Sequence, residues 1–87
     1  MSQNTFTLTI LSPEKRIFKG EVISLIAPGE LGSFGVLAHH APLISTLRPG
    51  VVTIKKTAEE IFNVKSEGSG FLEVSNNKVT MLLDAVA

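Results

Sequence analysis

Apolar and polar residues alternate along this chain in short stretches separated by turn-forming residues. Thr5-Phe6-Thr7-Leu8-Thr9-Ile10-Leu11 sets hydroxyl against apolar side chains at period two, the mark of a strand with one buried face. Phe6, Leu8 and Ile10 are expected to point inward. Ser12-Pro13-Glu14-Lys15 breaks the pattern, because proline cannot donate to a ladder and presets a turn. A short strand around Arg16-Ile17-Phe18 follows, punctuated by Gly20. Val22-Ile23-Ser24-Leu25-Ile26-Ala27 is a nearly continuous apolar run, and with Pro28-Gly29 stopping it the run predicts a central strand.

Between Pro28 and Gly35 the chain carries three glycines and one proline, which predicts a loop with positions of positive φ. Phe34 to Leu37 is expected as a short strand, and Leu43-Ile44-Ser45-Thr46-Leu47 as another, started by Ala41-Pro42. Arg48-Pro49-Gly50 reads as a type II turn, with proline fixing φ and glycine taking the left-handed position. Strands are then expected over Val51 to Lys56 and Ile61 to Lys65, with Thr57-Ala58-Glu59 turning the chain between them. Ala58-Glu59-Glu60 is also compatible with one helical turn. After a turn over Ser66 to Gly70, Phe71-Leu72-Glu73-Val74 and Lys78 to Leu83 read as a hairpin around Asn76-Asn77, since asparagine tolerates positive φ. Eight to ten short strands and no helical period beyond two turns indicate an all-β fold, a sandwich or a barrel.

At 87 residues the chain is the size of one small domain, spanning 1–87. A content of 44% apolar and 18% charged residues suits a packed core and excludes disorder for most of the chain. Eight basic residues balance eight acidic ones, so no long-range field collects nucleic acid or an anionic membrane. Weak self-repulsion and plentiful apolar surface instead predict a protein partner. The absence of cysteine removes disulfides, thiolate chemistry and sulfur metal sites, and fits a reducing compartment. Met1 to Thr5 lacks the features of a signal peptide, and no apolar run approaches a membrane span, so a soluble start is expected.

Candidate chemistry is sparse. His39 and His40 are adjacent, so on an extended chain they point to opposite faces, and two loop histidines near an interface are the simpler expectation than a metal site. Gly29-x-x-Gly32-x-x-Gly35 lacks the Gly-Lys-Ser/Thr ending and the following helix of a phosphate loop. A nucleophile at Ser33 would need His39 or His40 and Asp84, the only aspartate, and nothing in the spacing brings them together. Glu59 and Glu60 sit in a polar turn, where solvated charge is the ordinary explanation. Without tryptophan or tyrosine, and with its five phenylalanines mostly at strand positions expected to look inward, the chain lacks an exposed aromatic platform for stacking bases. Lys78 lies beside a tight turn, but Asn77 and Val79 do not flank it as the methionines of a biotinylated domain do. Neither a cofactor nor a small-molecule substrate is expected.

Five segments, Gly32-Ser33-Phe34-Gly35-Val36-Leu37, His40-Ala41-Pro42-Leu43, Leu47-Arg48-Pro49-Gly50-Val51-Val52, Gly70-Phe71-Leu72-Glu73-Val74 and Asn77-Lys78-Val79-Thr80-Met81-Leu82, taken in this order and spacing, carry a family resemblance. Together they resemble the N-terminal domain of the epsilon subunit of rotary (F-type) ATP synthases, across nearly the whole chain. The resemblance implies a flattened β-sandwich of about ten short strands in two sheets. It also implies a noncatalytic rotor subunit of the central stalk, bound to the gamma subunit and resting on the membrane ring of c subunits, so that proton flow is coupled to ATP synthesis. The location implied is peripheral, on the cytoplasmic side of an energy-coupling membrane, without insertion into it. An all-β adaptor with an unrelated partner is the alternative expectation.

The segment Pro28, Gly29, Glu30, Leu31, Gly32 and Ser33 is similar to the loop that touches the c ring in this family, with Glu30 as its acidic contact. Leu31 and Ser33 occupy places often held by acids in relatives, which implies a less electrostatic contact. His40, Ala41, Pro42, Leu43 and Ile44 resemble part of the surface that faces gamma. Ala38 and His39 stand where relatives often carry proline and then glycine or asparagine, and Ser69 where glycine is usual. Many members continue into two helices that inhibit ATP hydrolysis, a route not expected for a chain ending at Ala87.

Overall fold

The computed structural model describes residues 4–86. Nine strands follow one another: β1 (Phe6–Leu11), β2 (Arg16–Val22), β3 (Ser24–Gly29), β4 (Gly32–Leu37), β5 (Leu43–Leu47), β6 (Gly50–Lys55), β7 (Ile61–Ser66), β8 (Gly70–Ser75) and β9 (Lys78–Leu83). All are antiparallel to their neighbours except β1 and β9, which run parallel. The strand order is β2-β1-β9-β8-β5-β3-β6-β7, with β4 paired to β3.

Five strands, β2 to β5 in that order, form one layer of a curled sandwich, and β4, β3, β6 and β7 form the other. The layers are joined rather than separate, because the end of β3 pairs with the end of β5 at Gly29 and Leu47. At the opposite side the outermost strands meet through Phe18 and Phe62, whose ring centroids are 5.2 Å apart. An isolated bridge between Ser66 and Val86 adds a last contact at the end of β7.

Period-two patterning places the core. Phe6, Leu8 and Ile10 are buried as their alternation predicts, in one hydrophobic cluster with Leu25, Ile54, Leu72 and Met81. Buried members come from every strand but β7, which packs Phe62 and Val64 against the margin.

Four local expectations differ from the structure. The apolar run 22–27 is divided: Val22 ends β2, and β3 starts at Ser24. Its alternation buries Leu25 and Ala27 while Ile26 faces out. Gly20 does not end a strand but pairs with Leu8 inside β2. Gly50 carries no positive φ, so the turn before it is not type II; a side chain there is crowded by Pro28, whose Cβ would lie 3.0 Å from an added Cβ. Ala58-Glu59-Glu60 is not helical, and Thr57 Oγ1 accepts the N–H groups of Glu59 and Glu60 at 3.3 and 3.1 Å. A side chain that satisfies the backbone locally competes with a helical turn in this way.

Candidate functional site

The segment 28–35, expected as a loop, is a tight hairpin. Pro28 and Gly29 are the last residues of β3, Gly29 faces Gly32, and only Glu30 and Leu31 form the turn. Glycine is required on both sides of it for different reasons. Gly32 takes φ +133°, which strains any other residue, and a Cβ on Gly29 would lie 2.7 Å from the Gly32 carbonyl oxygen and 2.8 Å from the Phe34 ring. The hairpin tip presents Leu31, fully exposed, beside the carboxylate of Glu30.

Two bonds fix this tip on β5. The Glu30 N–H donates to the Thr46 carbonyl at 3.2 Å, and the Thr46 hydroxyl donates to Glu30 Oε1 at 3.0 Å. An open groove of about 500 Å³ lies between them, lined by Gly29 to Phe34 on one side and Ile44, Ser45 and Thr46 on the other. The structure therefore brings Gly29, Glu30, Leu31, Gly32 and Ser33 together with Ile44. Pro28 backs the site, its carbonyl accepting the Arg48 N–H at 2.9 Å.

His40, Ala41 and Pro42 lie beyond the other end of β4. The Leu37 carbonyl accepts the His40 N–H at 3.3 Å, and His40 Nδ1 sits 2.7 Å from the Ala41 carbonyl. Ala41 and Pro42 are exposed. Leu43 and Ile44 divide by alternation: Leu43 packs against the core and Ile44 is 66% exposed. Of the two, Ile44 offers a side chain to a partner.

His39 takes φ 62°, the left-handed conformation that glycine and asparagine enter most readily. Its N–H donates to Asn77 Oδ1 at 2.7 Å, and Asn77 Nδ2 donates to the Thr5 carbonyl at 2.9 Å. Asn77 and Thr46 hold the two ends of the candidate surface, yet neither was singled out for this from the sequence. Asn77 has a turn signal, whereas Thr46 has none beyond sharing the outward phase of Ile44.

The alternative chemical groupings are not assembled. Ser33 lines the hairpin groove, His40 bonds within its own loop, and Asp84 accepts the Ser69 hydroxyl at 3.0 Å in a different cleft, together with Ser12, Pro13 and Ile17. Among the described residues no three His, Asp or Glu side chains gather where they would hold a metal ion. Lys78 is an exposed first residue of β9, paired with Ser75 and Thr7. On β2 the Glu21 carboxyl is held below its ordinary value by the Thr7 hydroxyl and then by that of Thr5. No helix among the described residues is long and apolar enough to cross a membrane.

Residues 5–87 match the family described as the ATP synthase, Delta/Epsilon chain, beta-sandwich domain. The ATP synthase epsilon chain of Leptospira borgpetersenii serovar Hardjo-bovis is 46% identical over 97% of this chain, and the match spans 65% of that protein's length. That of Chlorobaculum tepidum is 42% identical over 99% of this chain and 97% of its own length. Thus the chain spans about two thirds of the first relative and nearly all of the second. Among solved structures, a chain of the Euglena gracilis mitochondrial ATP synthase superposes with a TM-score of 0.90 at 19% identity, covering 100% of this chain and 55% of that one. A chain of the Tetrahymena thermophila mitochondrial ATP synthase, from its central stalk and c ring, gives 0.79 at 13%, covering 100% and 69%. At those identities the likeness is one of fold, and it agrees with the nine-stranded curled sandwich. On the match across 5–87 and the Chlorobaculum relative, this chain belongs to the family of the ATP synthase delta/epsilon chain β-sandwich domain.

Proposed function

We propose that this chain is a noncatalytic central-stalk subunit of a proton-translocating ATP synthase, a rigid joint between the gamma subunit and the c ring. The observation that carries the reading is the match to ATP synthase epsilon chains, in one case across 97% of the relative's length. The structure is compatible with a mechanical task. A core shared by both layers, a bonded corner between β3 and β5, and the Phe18–Phe62 contact at the far side resist shear between the layers.

In this reading the hairpin tip, Pro28 to Ser33, meets the polar loops of the c ring. Glu30 supplies the charge there and Leu31 the apolar contact. The segment His40 to Ile44 faces gamma, with Ile44 as its apolar anchor. A permanent joint under torque needs on the order of 800 Å² buried per partner, more than either segment offers alone. The subunit then sits peripherally, on the cytoplasmic face of an energy-coupling membrane.

Proteoliposomes reconstituted with and without this subunit test the proposal. Proton-driven ATP synthesis should require the chain, and Leu31→Asp should lower the coupled rate while leaving the fold intact. Coupled synthesis at full rate with the subunit left out would refute the role.

A further inference from the structure

Sheet edges offer unpaired backbone, and folded proteins blunt them with charges, prolines, bulges or covering segments. β2 carries Arg16, Lys19 and Glu21, and its register with β1 shifts at a bulge between Ile10 and Leu11. β7 carries Lys65, and Val86 bridges Ser66 at its end. β5 follows Pro42 and is closed over its C-terminal half by the Glu30 N–H on the Thr46 carbonyl. β4 has no such device. Its six residues hold no charge and no proline, and it pairs with β3 alone.

The register tells which groups are open. Gly29 and Gly32 close a two-residue turn, so the mutually bonded pairs are 29 with 32, 27 with 34 and 25 with 36. Ser33, Gly35 and Leu37 consequently aim their N–H and C=O groups away from β3. The same phase is visible on β3, where the outward carbonyl of Pro28 takes the Arg48 N–H. The Leu37 carbonyl accepts from His40, but among the described residues no backbone bond reaches the outward groups of Ser33 or Gly35.

On the solvent face Gly35 leaves a notch between its neighbour Ile26, 50% exposed, and Leu37, 65% exposed. A Cβ on Gly35 would meet only the Leu25 carbonyl oxygen, at 3.7 Å. A bulky side chain from an adjoining strand fills such a gap well.

We infer that the open edge of β4 receives an extended strand of the gamma subunit, uncharged where it pairs, with a bulky apolar side chain lying over Gly35 between Ile26 and Leu37. The main-chain bonds give the affinity and the notch gives the register. This rests on the reading of the chain as a gamma-binding subunit. A second copy is the poorer occupant, because pairing β4 to β4 covers little beyond two short strands, well under the roughly 1,000 Å² of a stable interface. The gamma subunit finds adjoining surface just beyond the C-terminal end of β4, in segment 40–44.

Hydrogen exchange on the full chain, with and without purified gamma subunit, tests the inference. Gamma should slow the amides of Ser33 and Gly35 by about tenfold or more. Gly35→Pro removes an outward donor without breaking a bond to β3, and should weaken gamma binding by about tenfold. Gly35→Lys, which keeps the N–H but charges the edge, should act in the same direction. If gamma binds and both amides exchange as in the free chain, the inference is overturned and the reading of the subunit stands. If the unsubstituted chain does not bind gamma, both fall. Protection that grows with the concentration of the chain alone assigns the edge to a second copy and overturns the gamma assignment.

Discussion

Asn77 Oδ1 accepts the backbone N–H of His39 at 2.7 Å, across 38 residues of sequence. The bond ties the β8–β9 turn to the β4–β5 connection, and the same amide donates to the Thr5 carbonyl just before β1. One side chain thus ties three segments together. Asn77→Ala should cost about 2–3 kcal/mol, from two lost hydrogen bonds and a φ of 61° that alanine resists. Asn77→Gly keeps the backbone conformation and should cost about 1 kcal/mol less. Urea unfolding of both variants measures the difference, and equal losses would show that the turn conformation contributes nothing.

His39 is the other half of that relationship, held at φ 62°. A non-glycine residue in the left-handed region costs about 1–2 kcal/mol, offset in part for glycine by the larger freedom of the unfolded chain. His39→Gly retains the N–H that Asn77 accepts. It should raise stability by up to about 1 kcal/mol and lift the melting temperature by a few degrees. A fall in melting temperature would mean that the imidazole makes a contribution exceeding the strain.

Gly29→Ala sets a Cβ against the backbone of Gly32, which cannot rotate away as a side chain tip would. The hairpin must open, at a cost of about 1–3 kcal/mol. Because Glu30 and Thr46 are joined next to it, the groove should widen as well. Calorimetry checks the loss of stability, and accelerated amide exchange at Glu30 reports the opening.

Glu21 makes the stability of the fold depend on pH. The Thr7 and Thr5 hydroxyls hold its carboxyl below the ordinary value of 4.5. A group more acidic in the folded than in the unfolded chain adds stability above its unfolded pKa, and that gain disappears as the pH falls through the lower, folded value. The stability difference between the native chain and Glu21→Gln should hold constant at neutral pH and shrink below 4.5. Full exposure keeps the effect small. A difference that grows on acidification would contradict the sign.

Much of the architecture was legible because burial in a sheet leaves a period of two. Phe6, Leu8 and Ile10, the β6 and β7 strands, and the Asn76-Asn77 hairpin all fall where alternation and turn chemistry put them. The misreadings arose where one residue type serves two purposes. Glycines 29, 32 and 35 looked like a loop, but two of them flank a hairpin turn and the third leaves a gap on an edge strand. The continuous apolar run 22–27 hid a strand boundary at Ile23, since unbroken hydrophobicity has no phase. At the candidate surface, the identities of the exposed residues could be read from sequence, but the grouping of Ile44 with the hairpin tip could not.

By itself the order of residues determined the all-β class, the inward residues and the family, since strand phase and turn propensity are local and five motifs in register are a property of the chain. Tertiary structure alone decided that β3 joins both layers, that Asn77 reaches His39, and that the outer edge of β4 stays open. Those outcomes depend on which strands become neighbours. Pairing partners are chosen by packing across the whole core, and no local segment encodes them.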